Sequence, residues 1–175
     1  MSERSNRPTG GRGTSERGPS APAPQASRAG EVSERDDAPA KPRPVPDERS
    51  EGYWAAAAEH VLAVPRCSRC GGVSMPPGPV CPHCRSTEPD FQFVPVHGGG
   101  TIRSWTLVRD AFLPGFRDDV PYLLVDVALD EYPNVRLIGR LVDGPDAPLH
   151  LGDVVTVTFD DLDDDSAVPA FALAR

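Results

Sequence analysis

Residues 67–84, CSRCGGVSMPPGPVCPHC, contain all four cysteines of the chain. The cysteines form two Cys-x2-Cys pairs, Cys67 with Cys70 and Cys81 with Cys84, which are separated by ten residues. Two intervening residues let a tight turn direct both sulfurs toward one point, and two such turns complete the tetrahedral thiolate shell that Zn2+ prefers. The stretch therefore predicts a zinc ribbon whose metal ligands are these four cysteines.

The composition of the shell predicts a structural metal. Because cysteine fills all four positions, no coordination position stays open for water, whereas catalytic zinc normally keeps one. Iron in the same shell is the main alternative metal, and two disulfides are the alternative without metal. The start of the chain, MSERSNRP, lacks the apolar region of a secretory signal. An intracellular chain keeps its thiols reduced, so we expect structural zinc in a cytoplasmic protein.

The residue after each cysteine pair affects the turn. Gly71 follows the first pair, where the backbone needs a left-handed conformation that glycine adopts without strain. Arg85 occupies the equivalent place after the second pair, so we expect the second turn to be less favourable.

Residues 1–50 precede the ribbon and differ from it in composition. They contain no aromatic residue, leucine or isoleucine and only two valines. Such a segment cannot bury enough apolar surface to offset the entropy of ordering it. We expect a disordered tail over residues 1–50, in which KPRPVP (41–46) favours an extended polyproline conformation, and we assign the tail no function.

Residues 51–90 are predicted to form a short helix and the zinc ribbon. EGYWAAAAEHVLA has four consecutive alanines, which favour a helix through about Glu59. HVLAVPR (60–66) then leads into the first cysteine pair as the opening strand of the ribbon.

Residues 91–175 are predicted to form an OB-fold domain. The strand 91–97 is followed by three glycines, which allow a bend before 101–108, so that the two together would make the long, bent first strand of a small barrel. Clean alternation of apolar residues marks strands at 122–129, 135–142 and 154–159, and Pro169 in the last strand, 168–173, suggests an edge. Five strands of this kind fit the five-stranded Greek-key barrel, and a small sandwich is the alternative architecture.

The order of these motifs resembles a known family. A helix bearing Tyr53 and Trp54, the paired cysteines with the proline-rich loop MPPGPVCPHC, the strand GGGTIRSWT and the strand LGDVVTVTF follow one another. This resembles the zinc-ribbon/OB-fold proteins of acyl-CoA metabolism, described as domain of unknown function thirty-five. The resemblance covers residues 52–175.

The resemblance implies both a fold and a role. It implies a rubredoxin-like ribbon followed by an OB-fold, with zinc on the four cysteines. Family members look like non-catalytic subunits of thiolase-like enzymes, so it implies a thiolase-like partner and a task in binding or delivering acyl-CoA. The metabolism concerned would be that of lipids or steroids, polyketide-like compounds or related acyl-CoA. It implies no catalytic residue in this chain.

Charge tests the alternative function, a nucleic-acid-binding ribbon and OB-fold. The whole chain has a net charge of -8, and residues 51–175 contain 9 arginines, no lysine and 18 acidic residues. A polyanion would be repelled and would release few counterions. The strand 101–108 offers only Trp105 for base stacking. We therefore expect no nucleic-acid partner, and the absence of an apolar run of about 18 residues predicts no membrane partner either.

Two exposed features are candidates for interactions. The loop 110–121, DAFLPGFRDDVP, contains Phe112, Leu113 and Phe116, which could contact a partner, cover an acyl chain or simply cap the barrel. Arg117 in this loop, and Arg136 and Arg140 on one strand face, are candidates for CoA phosphate contacts because arginine suits bidentate phosphate binding. The acidic run Asp160, Asp161, Asp163, Asp164 and Asp165 is interpreted as a solvated turn between strands.

Overall fold

The structure, a computed structural model, describes residues 40–174. These residues form one helix and seven strands: α1 (Glu51–Ala58), β1 (Ala63–Cys67), β2 (Phe91–Pro95), β3 (Gly99–Val108), β4 (Tyr122–Leu129), β5 (Arg136–Leu141), β6 (Val154–Asp163) and β7 (Ser166–Leu173). The prediction of a mainly β protein with a short helix, a zinc ribbon and an OB-fold is confirmed.

The helix α1 is short and packs by one side. Its alanine run has high helix propensity, and the side chains of Tyr53 and Ala57 are buried. The chain enters the helix through a turn in which the Asp47 carboxylate accepts a hydrogen bond from the Ser50 backbone N–H at 2.9 Å.

The strand β2 belongs to the ribbon and not to the barrel. It pairs antiparallel with β1 in a two-stranded sheet, with Cys67 opposite Phe91 and Ala63 opposite Pro95. The prediction that 91–97 continues into the first barrel strand is therefore corrected: Gly98 lies between the two sheets, and Gly99 and Gly100 begin β3. Gly98 has φ +71°, and a Cβ there would lie 2.1 Å from Val157 Cγ1, so the turn requires glycine.

The five remaining strands close a barrel in the order β3-β4-β5-β7-β6. All neighbouring pairs are antiparallel except β5 and β7, which are parallel and share one paired position, Leu141 with Phe171. This is the Greek-key OB arrangement. The seam between β5 and β7 has a single paired position, and Pro169, which cannot donate to a ladder, lies along it.

The apolar residues that alternate along the barrel strands fill its interior. Side chains that alternate along β4 and β5 are buried, as are those in the core from β3, β6 and β7; the least exposed large ones are Ile102, Val125, Val127, Leu129, Leu141, Val155 and Phe171. The alternation of β4 is exact over its eight residues. The core of the domain is thus the barrel interior.

The acidic run is mostly a strand and not a turn. Asp160, Asp161 and Asp163 lie in β6 and pair with β7, and only Asp164 and Asp165 form the hairpin turn. Aspartate has low strand propensity, but cross-strand pairing overrides such a preference. His60 lies beside this run: its Nε2 is 2.6 Å from Asp161 Oδ1, and its ring stacks on Phe159.

The structure describes the predicted tail only from residue 40 onward. Residues 1–39 lie outside the described residues. Residues 41–46 run along the barrel, with Lys41 and Arg43 paired to barrel aspartates, so contact with the folded part begins earlier than the predicted boundary at residue 50. The sequence did not predict this contact, because two charged side chains and prolines make it and an apolar run does not.

Candidate metal centre and exposed surfaces

The four cysteine sulfurs converge on one point. All four Sγ atoms lie within 4.8 Å of one another, with 4.0 Å between the sulfurs of Cys67 and Cys84 and 3.7 Å between those of Cys70 and Cys81. A regular tetrahedron with Zn–S bonds of about 2.3 Å places its sulfurs about 3.8 Å apart. None of the cysteines is in a disulfide, so the residues fit a single tetrahedral zinc ion.

The two cysteine turns have the same backbone construction. Cys67 N–H donates to Gly72 O at 2.9 Å and Gly71 N–H to Cys67 O at 2.8 Å. In the second turn, Cys81 N–H donates to Ser86 O at 3.0 Å and Arg85 N–H to Cys81 O at 2.9 Å. The left-handed position falls on Gly71 (φ 73°) and Arg85 (φ 62°). The expected left-handed conformation is confirmed at Gly71, and Arg85 occupies the equivalent position.

The electrostatics of the shell favour a bound cation. Backbone N–H groups of Cys84 and His83 lower the pKa of Cys81 to about 6, against desolvation by burial. The Gly72 N–H stabilises the Cys70 thiolate, but desolvation and the neighbouring sulfurs oppose it and raise the pKa of Cys70 to about 12. Four thiolates at this distance repel one another unless a cation compensates them, so metal binding would displace the remaining protons.

A histidine beside the shell supports the loop and is not a ligand. His83 lies between the two cysteines of the second pair, and its Nε2 lies 2.9 Å from Val73 O. Its ring also occupies the space beside Gly72, where a Cβ would approach it to 2.5 Å. His83 thus holds the two ends of the metal loop together.

The three candidate arginines lie in different surroundings. Arg136 and Arg140 share the outer face of β5, as predicted, and each is paired with a carboxylate. Arg136 binds Asp126, and Arg140 Nη1 lies 3.0 Å from Asp119 Oδ2. Arg117 is exposed in the loop between β3 and β4. The structure therefore brings two of them to one strand face and leaves the third on a loop.

The loop between β3 and β4 carries the most exposed aromatic side chain of the described part. Phe112 is 89 % exposed and Leu113 is 59 % exposed. Phe116 is half-buried beneath the Lys41 ammonium group, which lies 5.3 Å from its ring centre. Trp54 on α1 is also half-buried, edge-on to Tyr53. Of the three loop residues predicted as possible partner contacts, Phe112 and Leu113 are exposed and Phe116 is half-buried.

Sequence reasoning missed Lys41 and Arg43 as contributors to a surface site. They line a groove beside the β5–β7 seam that has about 460 Å³ of unfilled space. The polyproline pattern of KPRPVP could have indicated a segment that binds a groove. The residues that form the groove, however, lie far from it in the sequence. Within residues 40–174, no helix has the length and apolar content needed to cross a membrane.

Family models match both parts of the chain. The model described as the ChsH2 rubredoxin-like zinc ribbon domain matches residues 54–90, and the one described as the ChsH2 C-terminal OB-fold domain matches residues 93–160. Together they cover more than half of the chain. With the geometry above, this confirms the structural zinc site and the predicted OB-fold.

Three relatives describe what the chain is similar to. A probable enoyl-CoA hydratase alpha subunit of Thermomonospora curvata is 30 % identical over 75 % of this chain, which spans 39 % of that protein. A DUF35 domain-containing scaffold protein of Methanocaldococcus jannaschii is 29 % identical over 54 % of this chain, which spans 64 % of that protein. A second DUF35 scaffold protein, from Methanothermobacter thermautotrophicus, is also 29 % identical.

A solved structure shares the arrangement of both domains. It is a chain of an Ltp2-ChsH2(DUF35) aldolase, with a TM-score of 0.67 and 29 % identity. The similarity covers 76 % of this chain and 100 % of that one. The ribbon and barrel therefore occur together in a chain that is part of an assembly with Ltp2.

Proposed function

Because the chain belongs to the DUF35 family of zinc-ribbon and OB-fold proteins, we propose that it is a non-catalytic accessory subunit of a thiolase-like enzyme. In this role it would help to bind or deliver an acyl-CoA substrate. The observation that carries the proposal is the similarity, over both domains, to the ChsH2(DUF35) chain of an aldolase assembly. Relatives named scaffold proteins support the non-catalytic part, and a relative named as a hydratase subunit supports the link to acyl-CoA.

The loop between β3 and β4 is the proposed docking surface. Phe112 and Leu113 present adjacent apolar side chains to solvent. Interface energy concentrates in a few aromatic residues, and an acidic subunit gains little from long-range attraction to another acidic protein. Apolar docking through Phe112 therefore fits this chain better than docking by charge.

The arginines supply a proposed contact to the CoA phosphates. Arg117 is exposed and lies on the same loop as Phe112, so a CoA held near the docked enzyme could reach it. Arg136 and Arg140 would first have to exchange Asp126 and Asp119 for a phosphate. We therefore propose Arg117 as the first contact and the two strand arginines as secondary ones.

Co-purification tests the partner. Tagged full-length chain is expressed in its native cells, purified, and the retained proteins are identified by mass spectrometry. We expect a thiolase-like protein to be retained, and we expect acyl-CoA turnover only when that protein is added to the isolated chain. Turnover by the isolated chain, or retention of no such enzyme, would contradict the proposal.

Phe112→Ala tests the docking surface. Removing an exposed anchor should weaken the complex by about 1–3 kcal/mol, measured by titration of the purified partner, without changing zinc content. Leu151→Ala is the matched control, because Leu151 is 71 % exposed on another loop. Equal affinity of Phe112→Ala and Leu151→Ala would place docking elsewhere.

Two further titrations separate CoA binding from the nucleic-acid alternative. Arg117→Ala should weaken acyl-CoA binding by the complex more than Arg103→Ala, which removes the same charge from the exposed part of β3. Single-stranded nucleic acid should not bind the isolated chain. Salt-sensitive micromolar binding of nucleic acid, together with no partner binding, would favour the alternative function.

A further inference from the structure

Residues 41–46, KPRPVP, lie along a groove on the outside of the barrel, and residues 41–44 form one of its walls. With the segment in place, about 460 Å³ of the groove stays unfilled, between the segment, α1, the β3–β4 loop and the β5–β7 seam. Its walls are mostly apolar and include Trp54, Phe116, Ile138, Leu162, Val168 and Pro169. It runs beside the seam, along residues 138–140 of β5 and 168–169 of β7, which are not paired with each other.

The segment has the form of a bound polyproline peptide. Within it, Lys41 and Pro44 are the half-buried residues, and the others are exposed. A spacing of three residues is the period of a polyproline helix, which presents every third side chain to the same side. Aromatic-lined grooves recognise such preformed segments at low entropic cost, and Trp54 and Phe116 supply the aromatic walls here.

Two ion pairs hold the segment at either side of the groove. Lys41 Nζ lies 2.6 Å from Asp119 Oδ2, and Arg43 Nη1 lies 2.9 Å from Asp163 Oδ2. The hydrogen bond from Lys41 lowers the pKa of Asp119, as do the charges of Lys41 and Arg140. Both acidic residues belong to the barrel domain, so the groove has carboxylates placed for a basic segment.

The contacts are of a kind that can exchange. In the described part of the chain, residues 41–46 make no hydrogen bond between backbone groups, and Arg43 remains 63 % exposed in its ion pair. Unfilled space remains beside the segment, because a second cavity of about 300 Å³ shares Arg43, Pro44 and Trp54 with the groove. Side-chain contacts alone, with incomplete packing, permit the segment to leave while the barrel stays folded.

We propose that this groove is a binding site for extended, proline-rich basic segments, and that residues 41–46 are its exchangeable occupant in the same chain. The ligand class is set by the two flanking carboxylates, the aromatic walls and the three-residue period of the contacts. The site is separate from the zinc centre and does not depend on the identity of the proposed partner enzyme. A covalently attached occupant has a millimolar effective concentration, so a free peptide would compete poorly with it.

A synthetic peptide with the sequence of residues 40–47, AKPRPVPD, carrying a fluorophore, tests the site on the full-length protein. The variant Lys41→Ala/Arg43→Ala/Pro44→Ser is designed to empty the groove of the segment, because it removes both ion pairs and the half-buried proline. The variant Lys41→Ala/Arg43→Ala changes only the charged side chains and serves as a milder version. The peptide should bind the emptied variants at least about tenfold more tightly than the unmodified chain. Added salt should weaken this binding.

Matched variants make the outcome specific. Arg103→Ala/Arg109→Ala removes two exposed positive charges outside the groove and should leave peptide affinity at the unmodified level. Adding Asp119→Asn and Asp163→Asn to the emptied variant should abolish peptide binding. Absence of binding to the emptied variants, or binding that survives loss of both aspartates, would overturn the proposal, whether or not the melting temperature changes.

Discussion

The two cysteine turns have different residues, Gly71 and Arg85, at the same left-handed backbone position. The effect of this difference on stability can be measured. Gly71 and Arg85 both have positive φ, at 73° and 62°. A side chain in this left-handed region costs about 1–2 kcal/mol. Gly71→Ala should therefore lower the free energy of unfolding of the zinc-bound protein by about that amount, measured by thermal or denaturant unfolding.

The opposite substitution should stabilise the second turn. Arg85→Gly relieves the left-handed strain but adds backbone entropy to the unfolded chain, so we expect a gain of up to about 1 kcal/mol. Arg85→Ala is the control, because it removes most of the same side chain but keeps a Cβ and therefore keeps the backbone strain at positive φ. A gain from Arg85→Ala as large as that from Arg85→Gly would show that the side chain, and not the backbone, is unfavourable.

Each cysteine contributes one quarter of the metal shell. Cys67→Ser and Cys81→Ser should each reduce zinc from about one ion per chain toward zero, because a neutral hydroxyl cannot replace a thiolate ligand. Metal analysis of the purified protein gives the readout. Ser74→Ala, in the same loop but outside the shell, should retain zinc; full zinc occupancy in either cysteine variant would contradict the four-ligand site.

The first barrel strand needs a residue without a side chain where it meets β4. A Cβ on Gly100 would lie 2.6 Å from Ala128 O and from Val127 Cγ1, which are a backbone atom and a core side chain. Neither can move without disturbing the pairing of β3 with β4. Gly100→Ala should therefore destabilise the protein by about 1–3 kcal/mol, measured by denaturant unfolding.

The neighbouring glycine provides the control for that strand. At Gly99 a Cβ would approach only the Asp130 carboxylate, at 3.1 Å, and this flexible side chain can turn away. Gly99→Ala should cost clearly less than Gly100→Ala. Equal losses would indicate that strand entropy, and not close packing, determines the cost.

The two sheets of the described part have different sources of stability. The ribbon sheet is next to the metal shell, while the barrel contains most of an apolar core that also includes Tyr53, Leu62 and Val64. Removing zinc with a chelator should expose the amides of residues 61–94 to hydrogen exchange and leave those of β3 to β7 largely protected. Equal loss of protection in both sheets would show that the barrel depends on the metal.

The amino-acid sequence determined the features that depend on local chemistry and period. The Cys-x2-Cys spacing specifies the metal shell, because four sulfurs in two tight turns have one shared geometry that suits zinc. The alternation in β4 and β5 specifies which side chains enter the core, because successive strand residues face opposite sides. The excess of acidic residues was sufficient to argue against a polyanion partner.

Tertiary structure alone decided which segments pair with one another. The sequence of β2 predicted a barrel strand, yet β2 pairs with β1. The left-handed turn at Gly98 separates β2 from the first strand of the barrel. His60 follows Glu59 in the sequence, yet its ring meets Asp161, 101 residues away. Residues 41–46 likewise lack an apolar pattern, and their place was set by carboxylates and aromatic rings that come together only when the barrel closes. Such contacts depend on chain segments far apart in sequence, which no local period encodes.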